Sequence, residues 1–567
     1  MAASLLHKAT GEIYPLTWQV IATPITDEDV TTTTPEEIIS VVDRLPCQVY
    51  WQANPDSPRT KLENFKTCLQ ITLPYTQVDV KRQKITNTES FISSTSLEAT
   101  TNQEPILQWS PQQEISLETI KKSLIVLLGN LRPVNTPLRP NLLENQESIT
   151  LANYYVCTAD GLDANTVNTA LQELKGVILG CPTDWSEAYR YNLREAVLTA
   201  GLVQNINQVM IIEDAIATGL SMLTVNQKTG KSWRAGRTLI INLGASTSQI
   251  ALVNLPADIA QVNYSDFICR SFAYGGNALD QDIICQLLLP SNHQQSFPQV
   301  AHPDLGIRYQ LQQWLNNSPV RQSLWETAEK LKMILPTEEN FTLQLADQVW
   351  QIDRQNLEKS VLIPYLQQLN NQLNNFLAEI GVSAVAINQA ICTGGGSQWG
   401  AIARWLRQKL PNAVLTIDRE AEIVQRVANG LACLPLYPQL ANNPEKLYSD
   451  YFILWEILRA FPEEPVNIQE IYQILEKRGI NTQACQSLIK QILDSHLPAG
   501  LIPTGSDLAW LTASSQNNPD YQRAIASPLF IKDDQQKYDL NYQQAHHLVD
   551  YLNKLVAQCQ QKLDEPL

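Results

Sequence analysis

Long apolar runs are missing from this 567-residue sequence; the longest strongly apolar stretch is Leu124 to Leu128. A helix that crosses a bilayer needs about 20 such residues. The first residues, Met1 to His7, carry too short an apolar run for a signal-peptide core, and Lys8 follows at once, so the expectation is a soluble, cytoplasmic protein with no membrane partner. The ten cysteines form no C-x-x-C pair, and several, such as Cys285 and Cys392, sit inside apolar runs where a thiol behaves as a small hydrophobe. The six histidines supply no H-E-x-x-H, so no metal centre built from side chains is expected. Charge is also scarce: 17% of residues, against about 25% in ordinary globular chains, which excludes long polyelectrolyte tails. The formal net charge of −16 opposes attraction of the whole surface to nucleic acid or anionic lipid.

What is present is a large apolar fraction, 44%, enough for a sizeable core. At ~150 residues per domain the length corresponds to about four units, fewer if large α/β domains are used. Ser4 to Val20 reads as a strand hairpin turning at Ala9-Thr10-Gly11-Glu12. A polar stretch follows from Asp27 to Glu37. From about Lys81 to Gln113, Ser, Thr, Asn and Gln dominate without periodicity, which predicts a long surface loop. Ser116 then opens a helix with Leu117, Ile120, Leu124 and Leu127 on one face.

From Gly176 the pattern becomes strand, helix, strand, helix. Gly176–Gly180 is a short strand broken at Pro182, Ser186 to Ala200 a helix stopped by Gly201, Gln208–Ile212 a second strand, and Ala215–Leu220 the start of a small-residue helix. Arg237–Leu243 and Gln249–Leu255 flank the bend Gly244-Ala245-Ser246-Thr247. A second bend, Tyr274-Gly275-Gly276-Asn277, opens a helix. A third, Gly394-Gly395-Gly396-Ser397, links the strand Ala386–Cys392 to a helix from Gln398 to Lys409. Glycine lets a backbone approach an anion closely, and N–H groups at helix starts can bind phosphate oxygens, so three such bends together favour nucleotide binding. A rival reading uses the third bend alone: Gly394, Gly396 and Gly400 before a helix, with Asp418 at the end of the next strand, approximate a dinucleotide fingerprint and a Rossmann NAD(P)-dependent oxidoreductase. The spacing misses G-x-G-x-x-G, and no alternating strands and helices follow Asp418.

Taken in order, these segments resemble the nucleotide-binding domain of the Hsp70 chaperones, within the actin-like ATPase superfamily, over roughly Leu45 to Leu434. VILGCPTDWSEAYRYNLREAVLTAGL is similar to the family's strand, proline turn and helix, and MIIEDAIATGL to its connecting segment. LIINLGASTSQIAL resembles the second phosphate hairpin, FAYGGNALDQDI the G-G-E-D-F-D turn, AEKLKMIL the adenine-side helix and ICTGGGSQWGAIARWL the adenosine motif. The resemblance implies a two-lobed α/β fold that closes on ATP or ADP, with Mg²⁺. It implies that Gly244, Ala245, Ser246 and Thr247 present amides or a hydroxyl to the β- and γ-phosphates, and that Gly275 and Gly276 approach them from the second lobe. Glu329 and Lys332 would contact ribose or adenine, and Gly395, Gly396, Ser397 and Trp399 would line the adenosine pocket. Lys66, Glu213 and Asn242 would stand at the catalytic positions.

The sequence also departs from the family. The first phosphate loop, D-x-G-T-T, does not occur in these residues, either because the start lies upstream or because the loop has been lost; Asn242 and Gln249 stand where two aspartates are expected, Asp214 where a proline is, and Met333 and Trp399 where two arginines flank adenine. Amides hold Mg²⁺ less strongly than carboxylates and are poor proton acceptors. The expected organisation is lobe I over 1–225, with an insertion near 81–113, lobe II with closing helices over 226–435, and a mainly helical, winged-helix-like region over 436–567 in place of a peptide-binding sandwich. That last region is the expected protein-partner surface; Arg478 and Lys490 are too sparse for nucleic acid. Two functions follow: an Hsp70-like ATP-binding protein, chaperone-related or regulatory, with weak or absent ATP hydrolysis, or a nucleotide-free pseudo-ATPase scaffold for protein interaction.

Overall fold

The apolar strands around the first glycine bend build a five-stranded sheet. Gly236–Leu243 and Ser248–Leu255 pair antiparallel with Leu243 opposite Ser248, and Phe267–Phe272 pairs antiparallel with the second strand. Gln389–Thr393 and Val414–Ile417 add in parallel on the other side. The first two strands are buried almost end to end, as runs rich in Leu, Ile and Val must be when helices cover both faces. One face packs on Gly276–Ile283, Leu305–Leu315, Pro319–Ile334 and Ile363–Glu379. The other packs on Asp214–Thr229 and Ala421–Cys433. These two helices cross so closely that a methyl group on Gly430 would overlap the Ala217 carbonyl.

The structure is a computed structural model, and it describes residues 1–21, 38–74, 76–78, 101–133, 147–229, 235–289, 304–335, 337–345, 348–418, 421–441, 447–557 and 559–563. The chain is mixed α/β with several sheets. In the N-terminal part, the expected hairpin is Ser4–His7 with Glu12–Ile21, and the long second strand also pairs with Ile38–Val42 and Tyr154–Ala159. Val177–Cys181 and Val209–Glu213 form a parallel pair. The helix Glu187–Ala200 begins where the Ser186 hydroxyl accepts from the Tyr189 amide and stops at Gly201, φ 72°.

Two regions differ from expectation. The stretch Asp27–Glu37 and the residues from Lys81 to Thr100 lie outside the described residues, but the rest of the expected loop contains a hairpin, Ile106–Ser110 with Gln113–Ser116. Leu107 and Trp109 alternate inward there and are fully buried, Trp109 stacking on Trp510 with ring centroids 6.4 Å apart. The C-terminal region does contain the expected helices, at Asp450–Ala460, Ile468–Lys477, Thr482–Leu493 and Tyr542–Val556, and the hairpin Phe530–Lys532 with Tyr538–Leu540. Val466 forms an isolated antiparallel bridge to Tyr538 of that hairpin. Yet these helices share one apolar core with residues 16–193. Tyr451 packs on Tyr191 and hydrogen-bonds Thr72, and the Tyr551 hydroxyl donates to the Leu501 carbonyl. The N-terminal part and the C-terminal helices therefore constitute one packing unit. Among the described residues no helix is long and apolar enough to cross a membrane.

Candidate functional site

The three glycine bends converge at the carboxyl end of the strand Gly236–Leu243, the end of an α/β sheet where ligands characteristically bind. The bend 244–247 closes on itself, with the Gly244 amide donating to the Thr247 carbonyl at 3.0 Å. The second bend lies directly against it. A Cβ on Gly275 would sit 2.6 Å from the Gly244 and Ala245 carbonyl oxygens and 2.7 Å from the Thr247 nitrogen. The third follows Thr393: Gly394 has φ +88°, and a Cβ there would overlap the Leu243 carbonyl, while Gly396 faces the Leu243 side chain. Ser397 is buried, its hydroxyl donating to the Gly394 and Asp418 carbonyls at 2.8 and 3.1 Å. Lys332 reaches the second bend, its Nζ 2.6 Å from Asp280 Oδ2 and 3.3 Å from the Gly276 carbonyl. Glu329, one helical turn earlier, is exposed and close enough to raise the Asp280 pKa.

The first two amides of the helix Gly276–Ile283 are already occupied. Gly276 N–H donates to the Gly244 carbonyl at 2.9 Å, and Asn277 N–H to the Ala245 carbonyl at 2.8 Å. A helix start binds phosphate through donors of this kind when they are free. Here the carbonyls of the neighbouring bend take that role.

Behind the bends runs a polar row. Ser271, Gln249, Asn242 and Thr393 are register partners on four adjacent strands and so share one face of the sheet. Each lies within two residues of the end of its strand nearest the bends. This level is met by carboxylates from the N-terminal part: Gln249 Nε2 donates to Asp214 Oδ2 at 3.0 Å, and the Ser271 amide and hydroxyl donate to Asp184 Oδ2 at 2.7 and 3.2 Å. Lys66 joins the same cluster, its Nζ 4.8 Å over the Trp185 ring and 5.5 Å over that of Tyr189. Burial works against its charge, but the neighbouring Tyr189, Asp214 and Cys181 raise its pKa overall. Burial also raises the Asp214 carboxyl, against the pull of Lys66 and the Gln249 hydrogen bond. Glu213 is buried at the end of the strand Val209–Glu213, just before the adjoining helix, and acts electrostatically on both Asp214 and Arg190.

Most of the expected site residues are therefore brought together. Trp399 is placed differently. Its indole is 3% exposed, sits edge-on to Tyr365 at 6.4 Å and donates Nε1–H to the Lys332 carbonyl at 3.2 Å. It is part of the apolar core and shows no face to a ligand. Met333, expected opposite it, is 59% exposed. Asp418, the acidic residue of the dinucleotide reading, is buried and accepts both Nε and Nη2 of Arg426 at 2.7 and 2.6 Å, leaving its carboxylate engaged inside the protein. The turn of the N-terminal hairpin is also self-contained, with the His7 carbonyl accepting from the Thr10 and Gly11 amides. Asp184 and Ser271 were not singled out by motif; their signal was positional, a polar residue at the end of an apolar strand and an acid after a proline break.

A triphosphate with Mg²⁺ fits this arrangement poorly. The first two donors at the helix start are occupied, the carboxylate beside Gln249 would repel phosphate, and the positions expected to hold a metal carry amides. No family model matches the chain, and no curated protein is a significant relative.

Proposed function

We propose that this chain is a nucleotide-free relative of the Hsp70-type, actin-like ATPases, a scaffold for protein interaction whose nucleotide cleft is closed by its own main chain. The observation that carries this reading is the pair of hydrogen bonds from the Gly276 and Asn277 amides to the Gly244 and Ala245 carbonyls. They place carbonyl oxygens at the helix start, where a phosphate would otherwise be held. The direct contacts of Asp184 and Asp214 with the polar row work in the same direction, because they join the two parts of the protein without a bridging ligand. The antiparallel strands followed by two parallel ones, the converging bends and the close crossing of Asp214–Thr229 with Ala421–Cys433 support the actin-like part of the reading.

A second reading, weak ATP binding without turnover, draws on Gln249 Oε1 and Thr393 Oγ1, which are buried and have no hydrogen-bond partner among the described residues. Titration calorimetry with ATP and ADP in millimolar Mg²⁺ separates the two. The scaffold reading predicts no saturable heat for either nucleotide. Saturation in the micromolar range would replace it with the ATP-binding one.

A further inference from the structure

The five-stranded sheet ends at Val414–Ile417, which pairs with Gln389–Thr393 on one side only among the described residues. The Val414 amide donates to the Asn388 carbonyl and the Asp418 amide to the Cys392 carbonyl. In a parallel ladder alternate residues face opposite edges, so Leu415 and Ile417 turn their N–H and C=O groups to the open edge. Edge strands are ordinarily guarded by lysine, proline, a bulge or a covering element. Val-Leu-Thr-Ile is short, at four residues, but it carries no lysine, proline or bulge, no described element covers its open edge, and Val414 is 46% exposed.

A groove of about 530 Å³ runs beside this edge, lined by Arg407, Leu410, Pro411, Ala413, Leu415 and Ile417. The same two residues whose main chain faces the edge thus put their side chains into the groove. Arg407 supplies a charge at its rim, is exposed, and has no ion-pair partner among the described residues. Unpaired main-chain groups select an extended segment, alternate apolar pockets select every second side chain, and the guanidinium selects a carboxylate.

We propose that the edge strand Val414–Ile417 is a docking site for an extended segment of a partner protein, which adds as a sixth strand, sets alternate apolar side chains into the groove and pairs an acidic residue with Arg407. A second copy of this chain is a poorer occupant. It would bring net −16 against net −16, and its own edge strand offers Arg407 no carboxylate. The proposal deepens the scaffold reading by naming one partner surface. Nucleotide titration does not probe that surface, so either can fail alone.

The test selects phage-displayed random dodecapeptides on the full chain and compares the recovered peptides with Arg407→Glu and Val414→Lys, two exposed positions whose change leaves the core intact. The expected peptides alternate apolar residues around an Asp or Glu. They bind each variant at least about tenfold more weakly, bind Lys490→Glu unchanged, and slow hydrogen exchange at the Leu415 and Ile417 amides. The proposal is overturned if no peptide is enriched, if the peptides bind both variants as they bind the unaltered chain, or if protection falls elsewhere. It is also overturned if the chain is a dimer that Val414→Lys converts to a monomer, since the occupant would then be a second copy.

Discussion

Within the run Gly394-Gly395-Gly396, the three glycines meet different surroundings. Gly394 combines φ +88° with a backbone neighbour at the position of a would-be Cβ, whereas nothing lies within 4 Å of a Cβ on Gly395. Gly394→Ala should therefore cost roughly 3 kcal/mol or more through strain and overlap, and Gly395→Ala should fall within about 0.5 kcal/mol of neutral or be slightly stabilising. Urea unfolding of the two variants reads the contrast; equal losses would mean that the bend is packed differently. Asp280 offers a second test at this scale. Burial pushes its carboxyl up to about 7, more than the nearby Lys332 lowers it, with Glu329 adding to the rise. An unfolded aspartate releases its proton near pH 3.9. Between those values the folded chain holds the extra proton, so the contribution of Asp280 to stability falls as pH rises from about 4 to about 7. Asp280→Asn should flatten that part of the stability profile, and an unchanged slope between pH 4.5 and 7.5 would contradict the assignment.

Among the elements, those with strong local signals were legible from sequence. Glu187–Ala200 carries its own start at Ser186 and its own stop at Gly201. The hairpin Gly236–Leu243 with Ser248–Leu255 is announced by two apolar strands around a glycine bend. The hairpin Ile106–Ser116 was hidden because its strands are short, sit after a polar stretch and are stabilised by Trp510, far along the chain. The union of the C-terminal helices with the N-terminal core was hidden for the same reason, since no local pattern states which apolar face meets which. The bends themselves were found, but their closure was not: whether an amide faces a ligand or a carbonyl is settled by tertiary packing. Trp510 belongs to this level. Its removal as Trp510→Ala should cost about 3–5 kcal/mol, because it opens a cavity shared by the Trp109 hairpin and the C-terminal region. Limited proteolysis should then cut both regions together; cleavage confined to the C-terminal region would show that the two fold separately.

Across the whole molecule, the residues around the glycine bends are joined directly to the N-terminal part. Asp184 meets Ser271, Asp214 meets Gln249, and the crossing of the helices at Gly430 and Ala217 leaves little room for one part to slide on the other. In a two-state ATPase the phosphates bias closure; under the proposed reading these direct hydrogen bonds take their place. Under the scaffold reading the chain is a fixed platform, and the open edge at Val414–Ile417 is the surface proposed for a partner. Amide hydrogen exchange at Gly276 and Asn277, followed with and without saturating MgATP, addresses the closure itself. Both amides are predicted to exchange slowly in the protein alone and to be unmoved by MgATP. Rapid exchange that MgATP suppresses would mean that these donors are free to hold phosphate, and the scaffold reading would be wrong.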